Sequence, residues 1–496
     1  MPSCEPAAVL PAASPDPSEQ LAAAPTVVAV DLAAVDLQAA GVLRRGLRVW
    51  FVLARRMGPA LVRWLLARGR RPLAAELGPA LKQVADELGA TFVKLAQILA
   101  SSPSLAGEHL ADSLRGVLDR GTPVDAHLVR QVVENDLGAP VDEVFASFDP
   151  QPFASASLAV VHRATLADGS AVAVKVLRPG TTEAIAADLA LVRPVARWVA
   201  RLLPVGVLGT LPSLLDGLGL QLGEELDFRN EAAAMAWYGR VIDLMRIEGV
   251  AVPRAIPGLS GPRVLTMEYV EGTKIDDLGD TGPDRRAAVE ALIRSWFAVV
   301  LCTGVFHGDL HAGNLILRPT GELVLLDWGI SGRLDAASRR FFRRSVEGCL
   351  GDETAWADVR DHMLAVQGPE ATASLGIGPD DLLDMIRTQT LMIMSQPFHE
   401  LDLTRLMPTA GSPGAPAGLP ATRADWVRLA RAERRRLRAG GTPATAPPQS
   451  ELLMMKQLVF FERYGKLFLG ERPLLYDAEL YRSLLALPDL QEATLG

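Results

Sequence analysis

The eight residues His307-Gly308-Asp309-Leu310-His311-Ala312-Gly313-Asn314, with Leu325-Leu326-Asp327-Trp328-Gly329 after them, constrain this chain more than any other stretch. Asp309 precedes Asn314 by five residues, and Asp327 follows Asn314 by thirteen. Two apolar runs, Leu315–Leu317 and Leu323–Leu326, flank the turn residues Pro319-Thr320-Gly321-Glu322. Such a pattern predicts a β-hairpin. A hairpin returns Asn314 and Asp327 to one end, where two oxygens can share one hard cation. The H-x-D-x-x-x-x-N spacing is that of a phosphoryl-transfer loop. Its acid accepts the proton of an incoming hydroxyl, and its amide and the later acid hold magnesium. A lone Asp or Asn in a loop is usually a turn or cap residue; the whole string with its hairpin does not read that way. Trp328 stands where such loops carry Phe and keeps an aromatic plug.

The rest of the composition bounds the class. With 496 residues the chain has room for two or three domains. A formal charge of -8 gives no case for nucleic acid. Cys4, Cys302 and Cys349 are scattered with no C-x-x-C, which argues for a reducing compartment and against a disulfide scaffold or zinc site. No basic segment precedes an apolar core at the N-terminus, so no secretory signal is expected. No run of about 20 residues is free of charge and proline, so no transmembrane helix is expected. Val205–Leu222 comes nearest, and Gly206, Gly209, Pro212 and Asp216 break it.

Residues 1–40 are Ala/Pro-rich and read as a disordered tail. Gly41 to Pro72 holds nine arginines and no acid, interleaved with Leu43, Leu47, Trp50, Phe51, Leu61, Trp64 and Leu65. This predicts a basic amphipathic helix pair. It suits an anionic membrane surface, or packing on a neighbouring domain with a solvated basic face. Lys94 and Gln97, three apart, share one face of a following helix.

Ala171-Val172-Ala173-Val174-Lys175-Val176 follows the hairpin turn Asp168-Gly169. A lysine inside an apolar strand needs a partner. In phosphoryl-transfer sites of this layout it has two, the α/β-phosphates and a helix glutamate. Glu231, in the helical run Glu225-Leu226-Asp227-Phe228-Arg229-Asn230-Glu231, is the candidate. Glu225 and Asp227 also read as an acidic helix start, favourable to the helix dipole. Ahead of the lysine strand, Ala154-Ser155-Ala156-Ser157 occupies the place of a phosphate-cradling loop, with hydroxyls at Ser155 and Ser157. Val264–Met267 reads as a buried strand leading to Glu268-Tyr269-Val270, where backbone groups would meet adenine. No A-P-E segment follows Gly329, so no dedicated peptide platform is expected. Glu451 to Leu469 reads as a core helix.

These motifs in this order resemble the UbiB-like (ADCK-type, AarF) atypical protein-kinase-like family over roughly residues 80 to 400. Lys94 and Gln97 match its K-x-G-Q segment, with Ala96 in place of the Gly; 154–157 match its Ala-rich loop; Glu225 and Asp227 match its E-x-D. The resemblance implies an α+β, bilobal protein-kinase-like fold with an N-terminal helical extension and a helical C-terminal part. The expected division is a tail over 1–40, an extension over 41–123, an N-lobe with helical insert over 124–272 and a C-lobe over 273–400. A Pro/Ala/Arg-rich mobile insertion follows over 401–450, then C-terminal helices over 451–496. The implied activity is that of an atypical kinase or ATPase using ATP (or ADP) and Mg²⁺ in support of isoprenoid quinone, such as ubiquinone, or other membrane lipid biosynthesis. Asp309, Lys175 and Glu231 would be catalytic, and Asn314 and Asp327 would hold the metal. Ala154–Ser157, Lys175 and Glu268–Val270 would bind nucleotide. Lys94, Gln97, Glu225 and Asp227 would be regulatory, with Glu225 facing Lys94. Lipid or quinone-precursor partners and a cytoplasmic place, peripheral at the inner membrane face, follow from the same resemblance, and a homodimer stays open. Two other readings stand beside it: a small-molecule phosphotransferase of the aminoglycoside or choline kinase type, and a non-catalytic nucleotide-sensing, lipid-binding scaffold.

Overall fold

The computed structural model describes residues 26–66, 73–100, 108–114, 124–202, 206–278, 285–367, 378–403, a few positions between 427 and 435, and 449–487. The insertion expected over 401–450 falls almost wholly outside these residues.

Residues 26–38 were expected to belong to a patternless tail. Instead Val30 N–H donates to Gly223 C=O at 2.9 Å, Val28 N–H donates to Asn230 Oδ1 at 2.9 Å, and Leu32 is buried. Backbone pairing with a distant helix, which no local pattern announces, orders this segment. The extension follows as helices α1 (Ala39–Leu66), α2 (Leu73–Leu88), α3 (Ala90–Ala100) and α4 (Glu108–Leu114). Where a pair of basic helices was expected, α1 is one helix that runs through Pro59.

The N-lobe begins with α5 (Ala126–Leu137) and α6 (Val141–Val144). Strands β1 (Ser147–Phe148), β2 (Ala154–Ser155), β3 (Ala159–Thr165) and β4 (Ala171–Leu177) follow. Helices α7 (Thr181–Leu202), α8 (Gly206–Glu225) and α9 (Phe228–Met245) come next, then β5 (Val250–Ala251), β6 (Ala255–Ser260) and β7 (Val264–Glu268). The sheet order is β1-β3-β4-β7-β6, antiparallel throughout, with β2 on β3. Gly169, at φ 86°, closes the β3–β4 turn, where a side chain would be strained. Strand alternation then sorts the two faces. Val172, Val174 and Val176 pack with Val129, Val132 and Val133 of α5. Lys175 falls on the opposite face, toward α9.

The C-lobe is built on α10 (Arg285–Thr303), in which Trp296 to Cys302 are all buried. After β8 (Thr273–Lys274) and α10 come β9 (Val305–His307), β10 (Leu315–Leu317), β11 (Leu323–Leu325) and β12 (Ser331–Arg333). The expected hairpin is β10–β11, in the register Leu315↔Leu325, Ile316↔Val324 and Leu317↔Leu323. Helices α11 (Ala336–Cys349), α12 (Ala355–Gln367), α13 (Pro379–Ser395), α14 (Gln449–Phe468) and α15 (Ala478–Ala486) complete the lobe. The two-lobed α+β arrangement with a helical extension is therefore the one observed. No helix among the described residues is long and apolar enough to cross a membrane.

The extension is docked by buried polar contacts. Arg45 of α1 pairs with Asp188 of α7 at 2.7 Å, and Thr91 Oγ1 of α3 donates to the other Asp188 oxygen at 2.9 Å. Arg55 and Arg56 grip Glu87, and Arg63 reaches Glu76 at 3.2 Å. Of the six arginines on α1, Arg45 turns inward to a buried acid, whereas Arg44, Arg48, Arg55 and Arg63 stay exposed on the helix. Its apolar ridge turns outward, with Trp50 60% and Phe51 66% exposed. A solvated basic face is therefore present, with Trp50 and Phe51 exposed beside it and Val49, Val52 and Ala60 buried on the packed side.

Candidate active site

Lys175 and Glu231 meet because β4 and α9 pack face to face. Lys175 Nζ lies 2.9 and 2.8 Å from the two Glu231 oxygens and 2.9 Å from Asp327 Oδ1. Phe228 lies beneath, its ring centroid 5.4 Å from Nζ. Burial by itself would lower the lysine pKa; the two carboxylates outweigh it and hold Lys175 firmly cationic. Burial raises Glu231. Burial also works on Asp327, but Lys175 overrides it and keeps that carboxylate well below its usual range.

Asp327 has φ 54°, a left-handed conformation that Asp adopts more readily than most residues. Its neighbour anchors it. Trp328 N–H donates to Glu231 Oε1 at 3.2 Å, and Trp328 Nε1–H donates to Leu325 C=O at 2.9 Å. The indole packs on Tyr238 at 4.3 Å and His307 at 4.4 Å between ring centroids. The aromatic plug is thus kept by Trp.

The loop from His307 to Asn314 is tied the same way. His307 is fully buried; its Nδ1 accepts from Asp309 N–H at 3.0 Å, and its Nε2 lies 3.0 Å from Leu326 C=O. A carbonyl can only accept, so Nε2 carries the proton and the ring is neutral. Burial lowers its pKa in agreement. Gly308 is required by close approach, since a Cβ there would lie 2.9 Å from Ile330 Cγ2. Asn314 Nδ2 donates to Asp309 C=O at 3.0 Å. Its amide oxygen remains as an acceptor, so the amide and the Asp327 carboxylate offer the hard oxygens that Mg²⁺ takes. Mg²⁺ characteristically uses one or two protein carboxylates together with phosphates and water, so the donor set fits.

At the other predicted positions, Lys94 of α3 pairs with Glu225 at 2.9 Å, both largely buried. Gln97, on the same face, has no hydrogen-bond partner among the described residues. Asp227 caps α9, accepts from Arg229 N–H at 3.1 Å and pairs with the Arg229 guanidinium. In the Ala-rich loop, Ser155 Oγ accepts from Arg178 at 2.7 Å and Ala156 C=O accepts from Arg178 Nε at 2.8 Å. Ser157 lines a cavity of about 740 Å³ between the extension and α7, together with Arg45, Lys82, Arg178 and Thr181. At the end of β7, Glu268 N–H and Tyr269 N–H donate to the Arg254 and Ala171 carbonyls at 2.9 and 3.2 Å.

Three contributors escaped the sequence reading. Asp188 and Arg178 are the first two. The third is the pair Lys456-Gln457 of α14. Lys456 Nζ sits 2.5 Å from Asp309 Oδ1. Gln457 donates to Gly308 C=O at 2.7 Å and accepts from Leu310 N–H at 3.1 Å. A signal was present: Gln457 falls on the same stripe as Phe461 and Tyr464, and a polar residue on a core stripe needs partners.

Comparison with known proteins matches residues 116–357 to the ABC1 atypical kinase-like domain. An uncharacterized protein of Mycobacterium tuberculosis (strain H37Rv) is 40% identical over 274 residues, 54% of this chain and 56% of the relative. An uncharacterized chloroplastic aarF domain-containing protein kinase of Arabidopsis thaliana is 28% identical over 81% of this chain and 73% of its own. A probable protein kinase UbiB of Pseudomonas entomophila (strain L48) is 33% identical over 57% of this chain and 53% of its own. The chain therefore spans about half the length of the first and third of these relatives.

Proposed function

Because the chain belongs to the UbiB-like atypical kinase family and carries its ABC1 kinase-like domain, we propose that it is an ATP- and Mg²⁺-dependent atypical kinase or ATPase that supports isoprenoid quinone or other membrane lipid biosynthesis. The observation that carries this reading is the Lys175 bridge between Glu231 and Asp327, beside the Asn314 amide bonded to the Asp309 backbone. Mg-ATP, when bound, supplies the phosphoryl group and the counter-charge for its oxygens. Lys175, held cationic, orients phosphate oxygens. Glu231 fixes Lys175 from below. Asn314 and Asp327 present metal-ligating oxygens, and Asp309 receives the proton of the attacking water or hydroxyl. The exposed ridge of α1, with Trp50 and Phe51 at its centre and Arg44 and Arg48 beside them, supports docking on an anionic lipid surface.

The test is phosphate release from ATP by purified protein, with and without anionic liposomes and a phenol resembling a quinone precursor, beside Asp327→Asn. Lipid-stimulated release that is lost in Asp327→Asn supports the proposal. Stoichiometric phosphorylation of a soluble hydroxylated molecule would move the assignment to a small-molecule phosphotransferase. Nucleotide binding without release under any condition would move it to a non-catalytic, lipid-binding scaffold.

A further inference from the structure

The cation beside Asp309 does not come from the catalytic loop. The loop position two residues beyond Asp309 holds His311, and its Nδ1 accepts from Gly313 N–H at 3.0 Å. That bond folds the ring back into its own turn. Lys456, 147 positions downstream, supplies the charge instead and reaches Asp309 Oδ1 at 2.5 Å.

The delivery is built, not incidental. Leu458, Phe461 and Tyr464 are buried and anchor α14 in the C-lobe core. Gln457, only 1% exposed, spends both ends of its amide on the peptide groups either side of Asp309. A side-chain amide that donates to one peptide and accepts from the next fixes the backbone between them at two points. Helix geometry turns the preceding residue about 100° away, which carries Lys456 around the loop to the carboxylate. The lysine head is 35% exposed and the Asp309 side chain 17%, so the pair lies at the cleft rather than in the core. Lys456 and Gln457 lie outside the residues that match the family domain, 116–357.

We propose that Lys456 and Gln457 are positioning residues of the catalytic loop: Gln457 clips the backbone around Asp309, and Lys456 orients the Asp309 carboxylate toward the acceptor. The inference rests on the phosphoryl-transfer reading above. Preorganising a proton acceptor is worth most when the geometry is fixed before reaction. The effect therefore belongs on kcat, not on nucleotide affinity.

The experiment compares wild type, Lys456→Met, Lys456→Arg and Gln457→Leu in full-length protein. It measures Mg-ATP Kd by calorimetry, and KM and kcat by phosphate release. Lys456→Met is expected to lower kcat by about 10²-fold, the scale of one acid–base contribution, with Kd and KM held within about twofold. Lys456→Arg is expected to recover at least about a tenth of wild-type kcat, since a cation at that place is what matters. Gln457→Leu is expected to lower kcat in the same sense. Wild-type kcat in Lys456→Met, or a kcat raised above wild type, overturns the proposal, the second outcome because it would make the pair inhibitory. A loss in Kd equal to the loss in kcat also overturns it. A wild-type protein that binds nucleotide and never turns it over overturns the phosphoryl-transfer reading beneath, a result separate from those. Should Lys456→Met fail to fold, Lys456→Gln, close in length and polar, carries the same expectations.

Discussion

Lys175 and Asp327 meet across the cleft with Nζ 2.9 Å from Oδ1, although 152 positions separate them. The same lysine binds Glu231 more completely, through both carboxylate oxygens. One cation therefore ties the N-lobe to the Asp327 loop. Lys175→Ala and Asp327→Asn are each expected to abolish Mg-nucleotide binding, measured by calorimetry. Their stabilities should part. Lys175→Ala strands a Glu231 side chain that is only 3% exposed, a loss of about 3 kcal/mol or more. Asp327, 46% exposed, leaves a smaller deficit. Unchanged nucleotide affinity in either variant contradicts the site assignment.

Lys94 and Glu225 form the second buried pair, 12% and 8% exposed, and join the extension to the end of α8. Removing one partner leaves a charge without its counterpart and is expected to cost about 3 kcal/mol. Removing both should cost much less. A double-mutant cycle of Lys94→Met and Glu225→Gln, followed by thermal unfolding, should give a coupling above about 1 kcal/mol. Strict additivity of the two single changes would show that the pair does not hold the extension.

Ala96 replaces the Gly of the resembling segment, and the structure places its methyl in a small core with Val93, Leu99, Leu110 and Leu214. Ala96→Gly is therefore expected to destabilise. Helix propensity alone gives about 1 kcal/mol, and the lost methyl burial adds to it. A higher unfolding temperature in Ala96→Gly would contradict this packing role.

His162 and His307 are both buried and both held below the ordinary histidine range, in each case chiefly by burial. His162 Nδ1 lies 2.8 Å from Asp149 C=O and so carries a proton, while burial disfavours a second proton on the ring. A depressed folded-state pKa means that the unfolded chain binds more protons once pH drops below the unfolded value of about 6.5. The stability from these two rings is then present above that value and lost as pH falls below it. Unfolding midpoints should be level between about pH 7 and pH 8 and fall toward about pH 5. His162→Gln should reduce the fall. A midpoint that rises on acidification would refute the neutral assignments.

The elements that sequence made legible are those whose evidence is local. The β10–β11 hairpin, the β3–β4 turn at Gly169 and the apolar alternation around Lys175 each rest on residues a few positions apart. The Glu231 partner was legible because a buried lysine demands a carboxylate and a strong helix carries one. Asp227 was legible as part of an acidic helix start, and it caps α9 and pairs with Arg229. The pairing of individual α1 arginines was not legible, because an arginine stripe looks the same whether a given side chain faces water or an acid.

Sequence by itself determined the loop from His307 to Asn314, the hairpin that carries the chain from Asn314 to Asp327, and the Lys175 strand. Those features are written in spacing, because hairpins and strands impose fixed periods on neighbouring residues. Tertiary structure alone decided the Asp188 clamp on Arg45, the outward turn of the α1 ridge, and the arrival of Lys456 at Asp309. These contacts join residues more than a hundred positions apart or depend on which face meets a neighbour. The energy that selects them, the need of a buried charge or amide for a partner, has no period along the chain.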